Sequence, residues 1–113
     1  FRKKVLQKYE SRCIITGIDN PRLLLASHIK PWSVSDENEK LDVNNGFLLC
    51  PNHDALFDAG FITFSDEGNI IISKRLDDKD CSLLGINPSM KISVSEENKK
   101  YLEYHRTIKF FDK

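Results

Sequence analysis

No apolar run in this chain approaches the roughly 20 residues that a membrane-spanning helix needs, so no membrane partner is expected. The opening Phe1-Arg2-Lys3-Lys4 is not followed by the uninterrupted apolar stretch of a signal peptide. Cysteine is sparse and odd in number. Cys13, Cys50 and Cys81 stand at irregular spacing, which argues against a disulfide framework and for a reducing, cytoplasmic setting. Neither charge is in excess, since 17 basic residues meet 17 acidic ones. The strongly basic signature of many nucleic-acid binders is therefore missing, although a local basic face can coexist with overall neutrality. There is no internal repeat and no low-complexity tract. What remains is a chain of 113 residues, 40% hydrophobic and 30% charged, the composition of one small soluble domain. It does not begin with methionine, and Phe1 already belongs to a helical pattern. The expectation is a single domain over residues 1–113 taken from a longer protein.

Phe1, Val5, Leu6 and Tyr9 recur at helical spacing among basic residues. Arg12–Ile15 reads as a short β-type run ended by Thr16-Gly17, and Asn20-Pro21 as a turn. Leu23–Ile29 reads as a strand that Pro31 stops. Ser33–Lys40 is polar and reads as an exposed loop. Gly46–Cys50 predicts a second strand, and Pro51 suits the first turn of a helix that buries Leu56 and Phe57 and stops at Gly60. Phe61–Phe64 and Ile70–Ile72 predict a hairpin turning at Gly68. Lys74–Asp80 reads as a charged loop, followed by a short apolar stretch, Cys81–Ile86. Ser93-Val94-Ser95-Glu96 carries a capping-box pattern. The helix after it should bury Tyr101, Leu102, His105 and Ile108. Two strands and a helix between about residues 23 and 60 make a compact ββα unit.

That unit concentrates the reactive side chains. His28 closes the first strand, where a rigidly held imidazole could activate water at neutral pH; it could equally cap the strand or pack on Trp32. Asn45 precedes Gly46, a pair that ordinarily marks a turn. Its amide could instead hydrogen-bond the His28 ring across the hairpin and set the tautomer. Asp54 and Asp58 are spaced i, i+4 and share one helix face. Two carboxylates there repel unless they are solvated or share a hard cation such as Mg²⁺, Mn²⁺ or Ca²⁺. Otherwise Asp54 is a first-turn acid favoured by the helix dipole and Asp58 is simply exposed. His53 shares its face with Phe57 rather than with the carboxylates.

Ala26-Ser27-His28-Ile29-Lys30-Pro31-Trp32, then Asn45-Gly46-Phe47-Leu48-Leu49, then Ala55-Leu56-Phe57-Asp58-Ala59-Gly60 together resemble the motif of the bacterial restriction-type HNH endonucleases. Cys13-Ile14-Ile15-Thr16-Gly17 and the late Tyr101-Leu102-Glu103-Tyr104-His105-Arg106 are similar to flanking parts of that family. The resemblance implies an α+β domain with a ββα-metal (His-Me finger) core, flanked by N- and C-terminal helices and an extra β-hairpin. It implies a metal-dependent DNA endonuclease from a restriction or phage-defence protein, with a catalytically impaired ββα DNA-binding module as the alternative. The motif histidine is the general base, which falls on His28, and the asparagine that orients it falls on Asn45. The third motif position is a metal ligand and falls on Asp54. The position four residues later is a further ligand in colicin-type DNases and falls on Asp58.

The divalent cation implied is Mg²⁺, with Mn²⁺ or Ni²⁺ as substitutes. The chain departs from the family in two places. Ser27 stands where many members have a metal-binding aspartate. The two Cys-x-x-Cys pairs that clamp a structural zinc in many members are reduced to Cys13 with Thr16 and Cys50 with His53. Structural zinc normally takes four nitrogen or sulfur donors, so none is expected, and Cys13 and Cys50 are expected as neighbours in the core. DNA would be held through phosphates, with Lys30 and Arg12 as the leading contacts and Arg22 and Arg2-Lys3-Lys4 behind them. Additional domains would supply specificity in the parent protein, and double-strand cutting suggests a homodimer.

Overall fold

The computed structural model describes residues 1–112. Helix α1 (Arg2–Lys8) opens the chain. Strands β1 (Leu25–His28) and β2 (Gly46–Leu49) pair antiparallel, from Leu25 opposite Leu49 to His28 opposite Gly46. Helix α3 (Pro51–Asp58) follows at once, with Pro51 in its first turn, where the missing N–H costs nothing. Between the two strands lies a long connection that carries the short helix α2 (Glu37–Leu41). Strands β3 (Ile62–Phe64) and β4 (Ile70–Ile72) form a separate antiparallel hairpin. Helices α4 (Asp78–Leu83) and α5 (Lys99–Tyr104) complete the chain, and α5 runs on as a π-helical turn, His105–Lys109. No helix among the described residues is long and apolar enough to cross a membrane. This is the expected α+β arrangement, with a ββα core flanked by terminal helices and an extra hairpin.

The core is built where the sequence alternates least. All four residues of β2 are buried, because α1 and α3 both pack on the β1–β2 hairpin. Phe47 of β2, Phe57 of α3 and Phe64 of β3 meet with ring centroids 5.7 to 6.0 Å apart. This cluster joins the ββα unit to the second hairpin. Gly60 ends the α3 turn at φ +81°, and a Cβ there would lie 2.3 Å from the carbonyl oxygen of Lys109. The same glycine accepts a hydrogen bond from Phe111 N at 2.7 Å. The end of the helix and the end of the chain are thus fastened together.

Several local expectations are corrected. Arg12–Ile15 is not a strand but a tight turn, closed by Cys13 N to Ile18 O and Gly17 N to Cys13 O, both 2.9 Å. Leu23 belongs to a 3₁₀ turn (Pro21–Leu23) ahead of the strand. The polar stretch 33–40 is not simply loop, since Asp36 and Glu39 form a reciprocal capping box that nucleates α2. Helix α4 lies across the boundary between the expected charged loop and the apolar stretch that follows it. The capping box near the C-terminus is made by Ser95 and Asn98 rather than starting at Ser93. Tyr101, Leu102 and His105 are buried as expected, but Ile108 is 65% exposed. The π turn is the reason. Its extra residue breaks the 3.6-residue spacing that would have returned Ile108 to the core.

His105 is the most perturbed histidine of the fold. Its ring stacks on Phe57 at 3.8 Å and 3°. Nε2 lies 2.9 Å from the Phe57 carbonyl oxygen and Nδ1 2.8 Å from Thr63 Oγ1. A carbonyl only accepts, so Nε2 carries the hydrogen and Nδ1 accepts from Thr63. Burial pushes its pKa down from 6.5 to about 4. The unfolded chain therefore binds a proton in this window that the folded chain refuses. Stability from this group is complete above pH 6.5 and is lost as pH falls toward 4, by roughly 3 kcal/mol in all. Urea midpoints measured from pH 7 to pH 4 should fall accordingly, and His105→Gln should flatten that part of the slope.

Candidate active site

The connection end of the β1–β2 hairpin is the place to look, because His28 and Gly46 form the last pair there. The His28 ring is half-buried, and Nε2 lies 2.9 Å from the carbonyl oxygen of Lys40. That oxygen can only accept, so Nε2 holds the proton and Nδ1 presents its lone pair. Nδ1 has no hydrogen-bond partner among the described residues. One ring face stacks on Phe1, with centroids 3.9 Å apart and planes within 8°. Trp32 takes no such part. It is 59% exposed and lies under the Lys40 ammonium at 4.0 Å.

Asn45 does not bond the His28 ring. It is completely buried and holds the connection between the strands instead. Its Oδ1 accepts from Lys30 N at 2.8 Å, and its Nδ2 faces Glu39 O at 3.1 Å and Lys30 O and Ser35 Oγ at 3.4 Å. Glu39 immediately precedes the residue whose carbonyl receives the imidazole hydrogen. Asn45 therefore fixes the peptide immediately before the one whose carbonyl the ring bonds. Nothing in a turn-like Asn-Gly pair signals this, because the partners are main-chain atoms of a connection whose path the sequence does not reveal.

Asp54 and Asp58 project from α3, Asp54 half-buried and Asp58 exposed. Burial raises the Asp54 carboxyl above its usual range; the Ser27 hydroxyl on β1 opposes this, and the negative charge of Asp58 adds to it. Ser27 of β1 thus stands beside Asp54 of α3, and His28, the next residue of the strand, turns its side chain to the other face of the hairpin, against Phe1. The oxygen donors of Asp54 and Asp58 fit a hard divalent cation, which would relieve both the burial cost and the mutual repulsion.

His53 turns the other way. It is buried and pairs with Cys50, whose Sγ is 3.4 Å from Nδ1. Cys13 joins them, so that donor atoms of Cys13, Cys50 and His53 all lie within 4.8 Å of one another. Burial alone would raise the Cys13 thiol, but hydrogen bonds from His53 and from Thr16 outweigh it and bring it down to about 6. The backbone N–H groups of Thr16 and Cys50 also point at this sulfur, at 3.5 and 3.4 Å. These soft donors suit zinc rather than magnesium. They number three where a closed structural site takes four, and the Thr16 hydroxyl is engaged by Ile18 N at 3.2 Å.

Of the two leading DNA contacts, Lys30 is occupied. Its ammonium lies 2.9 Å from both carboxylate oxygens of Glu39 and 5.3 Å from the Tyr104 ring centre. Arg12 is exposed and makes no ion pair among the described residues. Arg2 is structural, donating to Leu24 O and Pro21 O at 2.7 and 2.8 Å.

With this geometry in view, the comparisons with known proteins become informative. Residues 13–65 match the family model described as HNH endonuclease. That span runs from the Cys13 turn through β1, β2 and α3 to the end of β3. No curated protein matches the chain in sequence. Among solved structures, the chain is similar to a modification-dependent TagI restriction endonuclease, with 22% identity and a TM-score of 0.57. The match covers 93% of this chain and 35% of that one, so the chain spans about a third of that protein's length. At this identity the likeness speaks for the fold, and the sequence family comes from residues 13–65. Sequence family and fold agree: residues 13–65 are similar to the HNH endonuclease family, within a fold like that of a restriction endonuclease.

Proposed function

We propose that this domain hydrolyses phosphodiester bonds of DNA with a divalent cation, as the nuclease portion of a restriction or phage-defence protein. The observation that carries the reading is the His28 ring, pinned through Nε2 to a main-chain carbonyl with Nδ1 left free. An imidazole so held is a ready general base for a water attacking phosphorus. Asp54 and Asp58 would hold the cation, and the donor set favours Mg²⁺ or Mn²⁺. When bound, such an ion neutralises charge developing on the phosphate and on the departing oxygen. The chain's own work is then divided among named residues. His28 takes the proton from the nucleophilic water, Asn45 fixes the peptide next to the one that aims the ring, and Ser27 stands beside the Asp54 carboxylate and favours its charged form. Arg12, exposed and unpaired, is the better placed of the two basic candidates for a phosphate contact. The modification-dependent restriction enzyme of similar fold, about a third of whose length this chain spans, supports a restriction setting with further domains; a second protomer would serve double-strand cuts.

The test is conversion of supercoiled plasmid by this chain with Mg²⁺ or Mn²⁺. Nicking should require the ion and stop in EDTA. Asp54→Ala should raise the ion concentration needed for half-maximal rate by about tenfold or more, the scale expected when an oxygen ligand is removed. Cleavage that persists in EDTA, or an Asp54→Ala variant with an unchanged metal requirement, would falsify this metal assignment.

A further inference from the structure

Phe1 stands at the edge of the site with a geometry that ordinary core packing does not require. Its ring lies parallel to the His28 imidazole, 3.9 Å away. It also covers Gly46, the cross-strand partner of His28. A Cβ on Gly46 would sit 2.7 Å from the tip of the Phe1 ring and 2.9 Å from a Val5 methyl. Gly46 has an extended backbone, φ −140°, so its conformation does not ask for glycine; the space for the Phe1 ring does. Helix α1 is itself anchored on both strands. Arg2 donates to Leu24 O just before β1, and Tyr9 OH donates to the Gly46 carbonyl of β2 at 3.0 Å. The main chain of Phe1 is tied in by Val5 N at 3.0 Å.

We propose that Phe1 is a positioning residue for His28, a flat clamp for which Gly46 leaves room. The Lys40 carbonyl fixes one atom of the imidazole but leaves rotation about that bond. A parallel ring against its face removes that rotation and directs Nδ1. The clamp deepens the nuclease reading given above and rests on it for its purpose, though not for its geometry.

The discriminating substitutions are Phe1→Leu, of similar bulk but without a flat face, and Phe1→Tyr, which keeps the face. Two readouts are taken on each: steady-state cleavage, and ring NOEs with ¹³C relaxation of the His28 imidazole C–H groups in the metal-free chain. Wild type and Phe1→Tyr should show one rigid ring orientation. Phe1→Leu should show a mobile ring and a kcat lowered by about tenfold to a hundredfold with KM unchanged, the scale of a misplaced reacting group. Gly46→Ala, which displaces the clamp without altering it chemically, should repeat that signature. A Phe1→Leu ring as rigid and as oriented as wild type overturns the proposal, whatever the rate does. A mobile ring in Phe1→Leu supports it even if the wild-type chain leaves DNA uncut, a result that would overturn the nuclease reading alone.

Discussion

His28→Ala is expected to slow metal-dependent plasmid cleavage by about 10²- to 10⁴-fold, the usual contribution of a positioned general base. DNA affinity measured by fluorescence anisotropy in EDTA should barely change, because a neutral imidazole does little to hold phosphates. The loss should appear in kcat at saturating metal and DNA. The side chain also contributes to the fold through its stack on Phe1 and its bond to Lys40 O, so assays belong well below the variant's melting temperature. Cleavage at the wild-type rate by a folded His28→Ala variant would sink the mechanism and leave Asp54 and Asp58 as a metal pair without a base.

Asn45→Ala should cost both stability and activity. The side chain is wholly buried, and its amide serves Lys30 N, Glu39 O, Lys30 O and Ser35 Oγ. Truncation strands buried main-chain groups, at about 1–3 kcal/mol for each one left without a partner. A loss of roughly 3 kcal/mol lowers the melting temperature of a domain of this size by about 10–20 °C. Cleavage should fall further than the folded fraction does, because the peptide next to the one carrying the His28 acceptor is no longer fixed. Asn45→Asp sharpens the point. It retains the acceptor for Lys30 N but sets a carboxylate oxygen against the Glu39 carbonyl, so it should resemble the alanine variant. Calorimetry beside initial rates checks both. An Asn45→Asp chain with wild-type rate and melting temperature would show that the inter-strand connection does not depend on this amide.

How much of this could be read from residues alone follows from what each residue contacts. Helix α3 was legible because Pro51 and Gly60 mark its ends by local stereochemistry, and Leu56 and Phe57 declare its buried side. The two hairpins were legible for similar reasons. The pairing of Asp54 with Asp58 needed only helical geometry. The partners of Asn45, Lys30 and Phe1 were not legible, since each depends on where a distant segment comes to rest. From its sequence position Lys30 reads as a phosphate contact, but Glu39 lies beside it, nine positions on and brought there by a helix whose capping box lies inside a polar stretch. The Cys13 turn is hidden because Cys13-Ile14-Ile15 has the composition of a strand, while its backbone reaches β2 through Ile14 N to Leu48 O at 3.0 Å without forming a ladder. Phe1 carried no signal beyond helical spacing.

One pair of contacts sets a condition on when the site can exist at all. The turn that delivers Asn45 is held from the far end of the chain: Asn98 Nδ2 donates to the Asn44 carbonyl at 2.7 Å across 54 positions, and Tyr101 OH donates to Asp42 at 2.6 Å across 59. During synthesis the histidine, the asparagine and both aspartates leave the ribosome well before these two fastenings. A partly made chain thus holds every reacting group and lacks the brace that aligns them. On the proposed nuclease reading, that order of events delays the alignment of the reacting groups until residues 98 and 101 have been made.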